Sequence, residues 1–121
     1  MISARRLALA CLVLAACTAT ATSPAPDIPP WLAAKIQEFD RPDVANKPQL
    51  VARYDYKGAT VYYVGPRCCD IYSELYDAAG VLLCHPDGGI TGTGDGRCTD
   101  FLDLRSNEVI LWRPDAAGSQ P

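Results

Sequence analysis

Between Asp87 and Asp103 the chain sets carboxylates among glycines in a way that could do chemistry. Asp87, Asp95, Asp100 and Asp103 are hard oxygen donors, and the intervening glycines would let backbone carbonyls turn inward, as a calcium site requires. Residues 86–96 read PDGGITGTGDG and hold five of the chain's nine glycines. The D-x-[DN]-x-[DN]-G-x₅-E register of a helix–loop–helix calcium site is absent, and so is the glycine-rich nonapeptide repeat of calcium β-rolls. Gly92-x-Gly94-x-Gly96 has no helix start or lysine behind it to cradle a phosphate. The favoured reading is a turn-rich loop, with glycines at positive φ and aspartates capping local amides. Metal ligands at Asp87, Asp95 and Asp100, serving a calcium-binding protein or a small calcium- or zinc-dependent enzyme that uses residues 87–103, are the alternative. The single histidine, His85, sits between Cys84 and Pro86 with no serine or free cysteine nucleophile in view, so no catalytic residue and no cofactor is assigned.

A second chemistry sits at the N-terminus. Arg5 and Arg6 precede Leu7 to Ala16, ten residues without a charge. This run has the length and flanks of a secretory h-region and is too short to span a bilayer. It ends in Leu14-Ala15-Ala16-Cys17, which resembles the lipobox of bacterial lipoproteins. There, cleavage precedes the cysteine and the thiol carries a diacylglycerol; Ala15 and Ala16 are the small residues such a cut needs. The expectation is a signal peptide over 1–16 and lipidation at Cys17, with ordinary cleavage at an Ala-x-Ala-like site as the alternative. Thr18 follows where an aspartate would mark inner-membrane retention, so a bacterial envelope protein held at the outer membrane, facing the periplasm or the cell surface, is expected. Trimming at Cys17 takes both arginines and moves the net charge from −3 to −5.

Export carries the remaining cysteines, Cys68, Cys69, Cys84 and Cys98, into an oxidising compartment, where an even count in a small domain implies two disulfides. Bonding Cys68 to its neighbour Cys69 would strain their shared peptide unit, which leaves two pairings. Either Cys69–Cys84 nests within Cys68–Cys98, the arrangement favoured because it pins both ends of the glycine loop, or the partners are exchanged. A zinc site from these thiols and His85 lacks the paired C-x₂-C knuckles of structural zinc, and no C-x-x-C redox motif is present.

Certain elements must position these groups. Thr18 to Pro30 is rich in Thr, Ala and Pro, a tether that is partly polyproline II. Pro30 opens a helix in which Leu32, Ile36 and Phe39 form one apolar stripe, closed at Arg41-Pro42. Leu50 to Tyr56 alternates as a strand, with Leu50, Ala52, Tyr54 and Tyr56 on one face and Val51, Arg53 and Asp55 on the other. Lys57-Gly58 turns it into Thr60 to Val64, making a hairpin. Ile71 to Asp77 reads as a helical turn or loop, Val81 to Cys84 as a short strand, Asp100 to Leu104 as a turn of helix and Glu108 to Trp112 as a last strand. The domains are therefore 1–16 signal peptide, 17–29 tether, 30–113 one small domain and 114–121 polar tail. The fold class is α+β: one N-terminal helix on a small antiparallel sheet of about four strands, stapled by disulfides.

The 121 residues, 49% hydrophobic and 21% charged, allow one globular core and exclude a disordered or coiled-coil chain. An acidic pI near 4.9 opposes phosphate-backbone contacts, so no nucleic acid is expected as partner. Tyr54, Tyr56, Tyr62 and Tyr63 on the hairpin could line a partner surface, since tyrosine is favoured at interfaces, or pack across strands.

Taken together, several segments resemble an uncharacterised family of small bacterial envelope lipoproteins carrying a domain of unknown function. They are Pro30-Trp31-Leu32, Tyr54 to Gly58, Val61-Tyr62-Tyr63, Cys68-Cys69-Asp70, Leu75-Tyr76-Asp77 and Cys84. They continue through Pro86 to Gly92 (PDGGITG), Gly94-Asp95-Gly96, Cys98, Asp100-Phe101 and Ile110-Leu111-Trp112. The departures are Arg67 before the paired cysteines, Leu83 before Cys84, and Thr99 where proline is expected. The resemblance implies the lipoprotein address and the disulfides and brings no activity. The expected function is a lipid-anchored, non-enzymatic binding or structural module, monomeric, with an envelope protein or a glycan as possible ligand.

Overall fold

The structure, a computed structural model, describes residues 13–18, 25–68 and 70–114. Most of the expected signal peptide, part of the tether, Cys69 and the tail from 115 onward lie outside the described residues. Among those described, no helix is long and apolar enough to cross a membrane.

Helix α1 (Pro30–Asp40) begins where proline costs nothing, because an amide in the first turn has no intrahelical acceptor. The Pro29 carbonyl accepts the first helical hydrogen bonds, from the Leu32 and Ala33 amides. Arg41, extended at ψ 136° ahead of Pro42, ends the helix. Strands β1 (Val51–Tyr56) and β2 (Ala59–Val64) form the expected hairpin. Its two-residue turn needs positive φ at both positions, and Lys57 (49°) and Gly58 (77°) provide it.

Three further strands complete the sheet: β3 (Glu74–Tyr76), β4 (Leu82–Cys84) and β5 (Ser106–Trp112). The order is β4-β3-β2-β1-β5, every neighbour antiparallel. After β4 the chain runs through the glycine loop and the short helix α2 (Phe101–Leu104), then joins the far edge of the sheet as β5. The expected α+β class holds, with five strands instead of about four. The extra strand is β3, inside the segment expected as a helical turn or loop. Three residues are too few to show a period; pairing makes them a strand, with Tyr76 opposite Tyr62 and Leu75 opposite Tyr63.

Both faces of the sheet are covered. Strand alternation sends Val51, Tyr62, Val64 and Tyr76 to one face, where Leu32 and Phe39 of α1 pack with Ile36 beside them. Trp31 meets the Tyr62 ring edge-on and donates its indole N–H to the Ala78 carbonyl. Trp112 packs on Phe39 and donates to the Asp40 carboxylate, tying β5 to the end of the helix. The opposite face carries Ala52, Tyr54, Val61, Tyr63, Leu75 and Cys84, under Cys98 and Phe101. Of the two readings open for the hairpin tyrosines, packing is the one that Tyr54, Tyr62 and Tyr63 show. Tyr54, Tyr62 and Tyr63 are only 2%, 6% and 6% exposed, because α1 covers one face and the α2 segment the other, leaving only Tyr56 half-buried.

The disulfide pairing is corrected as well. Cys84 bonds Cys98, 14 residues on, with Cα atoms 6.2 Å apart. Both expected pairings had bonded Cys84 and Cys98 to the cysteine pair at 68 and 69. The fold separates them: Cys84 faces inward on β4 and Cys98 folds back over it from the same loop, both buried in one core. Cys68 sits exposed in the turn after β2 and is itself disulfide-bonded.

Candidate functional site

The glycine loop, closed by Cys84–Cys98, is where the polar groups gather, and its path explains its composition. Gly94 has φ 70°, and a Cβ there would stand 2.0 Å from the His85 carbonyl oxygen, so only glycine lets the loop fold back on its own start. The Asp95 amide then donates to that same carbonyl. Gly89, at φ 76°, lies against the Tyr72 ring with no room for a side chain.

That close path delivers Asp87 to the sheet. Its carboxylate accepts the Tyr63 hydroxyl through both oxygens, at 2.9 and 2.8 Å. Its backbone is clasped by the fully buried Ser73, whose hydroxyl accepts the Asp87 amide (3.0 Å) and donates to the Asp87 carbonyl (3.1 Å). The Ser73 amide donates to the same carbonyl. The hydroxyl is thus fully engaged in structure. The Ser73 carbonyl lies 2.7 Å from His85 Nδ1; a carbonyl can only accept, so that nitrogen carries a proton. The imidazole lies tilted over the Tyr72 ring.

Asp95 caps, as the sequence leads one to expect: one carboxylate oxygen accepts the His85 amide and the other the Arg97 amide. Burial pushes its carboxyl pKa up, but these two amide hydrogen bonds outweigh it and the net shift is downward. Asp87 does not cap turn amides with its side chain but holds a tyrosine. Asp100 accepts the Tyr56 hydroxyl at 2.5 Å and an ion pair from Lys57 at 2.7 Å; the lysine contact, then the tyrosine, holds its carboxyl below the usual range. The three candidate metal ligands are thus turned to three separate tasks. Among the described residues no group of three or more His, Cys, Asp or Glu side chains could hold a metal ion.

Sequence reasoning missed the pattern that links these groups. Four tyrosine hydroxyls each donate to a carboxylate: Tyr54 to Glu108, Tyr56 to Asp100, Tyr63 to Asp87 and Tyr76 to Glu74. Three of the pairs join residues 54, 44 and 24 positions apart, so no local spacing announces them. Burial, and then the hydrogen bond to Glu108, pushes Tyr54 up to about 12. The same two causes raise Tyr56, and raise Tyr63 and Tyr76 further. Arg105 lies 4.9 Å over the Tyr54 ring and donates to its hydroxyl, which closes the β1–β5 end of the array.

Residues 37–114, from the middle of α1 to the residue after Arg113, match the family model for a domain of unknown function, DUF6970. The chain belongs to that family. The DUF6970 segment contains the whole sheet, the Cys84–Cys98 bridge and all four tyrosine–carboxylate pairs. Leu32 and Trp31, which pack α1 onto the sheet, precede it. No curated protein and no solved structure matches the chain.

Proposed function

We propose that this DUF6970 chain is a lipid-anchored bacterial cell-envelope protein whose small domain is a non-enzymatic binding or structural module. The observation that carries the reading is Leu14-Ala15-Ala16-Cys17, with the Cys17 thiol free and exposed at the head of a proline-rich tether. A thiol so placed is the atom on which a diacylglycerol thioether forms, and a peptide of about a dozen residues then reaches the domain at Pro30. Thr18, in place of aspartate, supports the outer membrane as destination.

The domain's polar groups support a module over an enzyme. The Ser73 hydroxyl is saturated by backbone contacts, and the Asp87, Asp95 and Asp100 carboxylates are engaged by tyrosines, a lysine and amides. A catalytic group must instead be free to exchange a proton or attack. The module acts as a monomer, and its ligand is an envelope protein or a glycan. Expressed with its own N-terminus in a Gram-negative host, the chain should enter the detergent phase of a Triton X-114 separation, and Cys17→Ser should leave it aqueous or as uncleaved precursor. A wild-type protein found wholly in the aqueous phase would overturn the proposal.

A further inference from the structure

We infer that the end of the domain at which α1 begins is a docking surface for zwitterionic lipid, a reading that rests on the lipid anchor proposed at Cys17. Pro30, the first residue of α1, stands thirteen residues on from Cys17. A chain of that length spans at most about 45 Å when fully extended, so the start of α1 stays close to the bilayer that holds the lipid.

The turn between β3 and β4 stands at that same end. Trp31 donates its indole N–H to the Ala78 carbonyl, and its ring lies against Gly80, where a Cβ would come within 2.9 Å. Ala78 and Ala79 are exposed beside it, and the turn runs into Val81 and Leu82, 58% and 43% exposed. Leu82 pairs with Tyr76, so it shares the face on which the Tyr76 ring meets Trp31 at 5.3 Å. β4 is an edge strand, with no strand beyond it among the described residues.

The polar groups of this end are turned inward. Asp77 accepts the Ala79 and Val81 amides, both at 2.9 Å, and its own amide donates to the Val81 carbonyl. Lys35, one turn into the helix, lies 3.9 Å from Glu74 and over the Tyr76 ring. What faces outward is apolar with a tryptophan at its margin, the composition suited to a lipid–water interface. Charge selects the lipid. Asp27 is exposed in the approach to the helix and the chain carries net charge −3, which opposes an anionic surface and suits a zwitterionic one. Ile90 is more exposed, at 89%, but stands elsewhere. The β3–β4 ladder runs from the turn through Leu75–Cys84 to the Tyr72–Gly88 bridge, which puts the glycine loop at its opposite end.

Two tryptophans at the two ends of α1 make the test. Trp31 stands at its start, and Trp112 packs on Phe39 near its close, about 12 Å further along the helix axis. The full-length protein, purified with its lipid, is reconstituted into phosphatidylcholine vesicles with and without brominated acyl chains, and tryptophan emission is compared. Trp112→Phe, which leaves Trp31 alone, should lose most of its emission to bromine. Trp31→Phe, which leaves Trp112, should keep nearly all of it. Both rings are packed, so the unsubstituted chain is measured beside these variants. Its emission should fall in part; Val81→Ser with Leu82→Ser, at exposed positions, should restore it, and Ile90→Ser should not. No quenching in a chain that floats with the vesicles, the result expected if a second copy covers the patch, overturns the docking surface while the anchor stands. Equal quenching of Trp31 and Trp112 overturns it as well. A chain that does not float with the vesicles overturns the anchor, and the docking surface with it.

Discussion

A tyrosine that gives its only proton to a carboxylate buries a large ring and disposes of its polar tip in one step, and this domain does so four times. The consequences are measurable residue by residue. Replacing Asp87 with alanine leaves the Tyr63 hydroxyl, on a side chain only 6% exposed, without its acceptor. That should cost about 1–3 kcal/mol in urea denaturation. Because both Asp87 carboxylate oxygens accept the Tyr63 hydroxyl, millimolar calcium should leave the melting temperatures of wild type and variant unchanged; a rise of several degrees in the wild type alone would show an ion at the loop. Alkali should act through the same pairs. Native Tyr54 holds its proton to about 12, above the ordinary 10.0, so the unfolded chain releases protons first. Stability should be intact below pH 10 and fall as pH rises through 12, with absorbance at 295 nm and far-ultraviolet circular dichroism changing together. The tyrosines stood out in the sequence, but their partners did not, because strand alternation fixes a face and says nothing of which distant carboxylate will meet it.

At the scale of elements, what could be read depended on how far apart the interacting residues lie. Helix α1, the hairpin and β5 announce themselves by local period, a proline start and a two-residue turn. Strand β3 and the disulfide partners do not, since both are decided by what the sheet brings alongside. The spacing of Cys68, Cys69, Cys84 and Cys98 admits several bridges, and only the fold of the glycine loop puts Cys98 over Cys84. That loop makes two predictions. Gly94→Ala meets the His85 carbonyl and its neighbouring backbone, whereas Gly92→Ala, also at positive φ, meets open space. Gly92→Ala should cost about 1–2 kcal/mol for the left-handed backbone alone, and Gly94→Ala clearly more, read as the difference between two denaturation curves. Replacing both Cys84 and Cys98 with serine releases a loop whose closure is worth about 3 kcal/mol, and should lower the unfolding midpoint accordingly.

Across the whole molecule, a five-stranded sheet is sandwiched between one helix and one stapled loop, and both of its faces are spent on stability. The fold class and the helix-on-sheet arrangement were legible because hydrophobic pattern and length constrain them tightly. Whether the hairpin tyrosines pack or face a partner was not, because the covering of the second face comes from a glycine-rich segment with no periodicity of its own. The proposal of a lipid-anchored module rests on Leu14-Ala15-Ala16-Cys17. The mass of the N-terminal peptide from protein expressed with its own leader is the most direct measurement. We expect a peptide beginning at Cys17 and carrying a diacylglycerol thioether; a mature chain with Cys17 unmodified, or cleaved elsewhere, would contradict lipid anchoring.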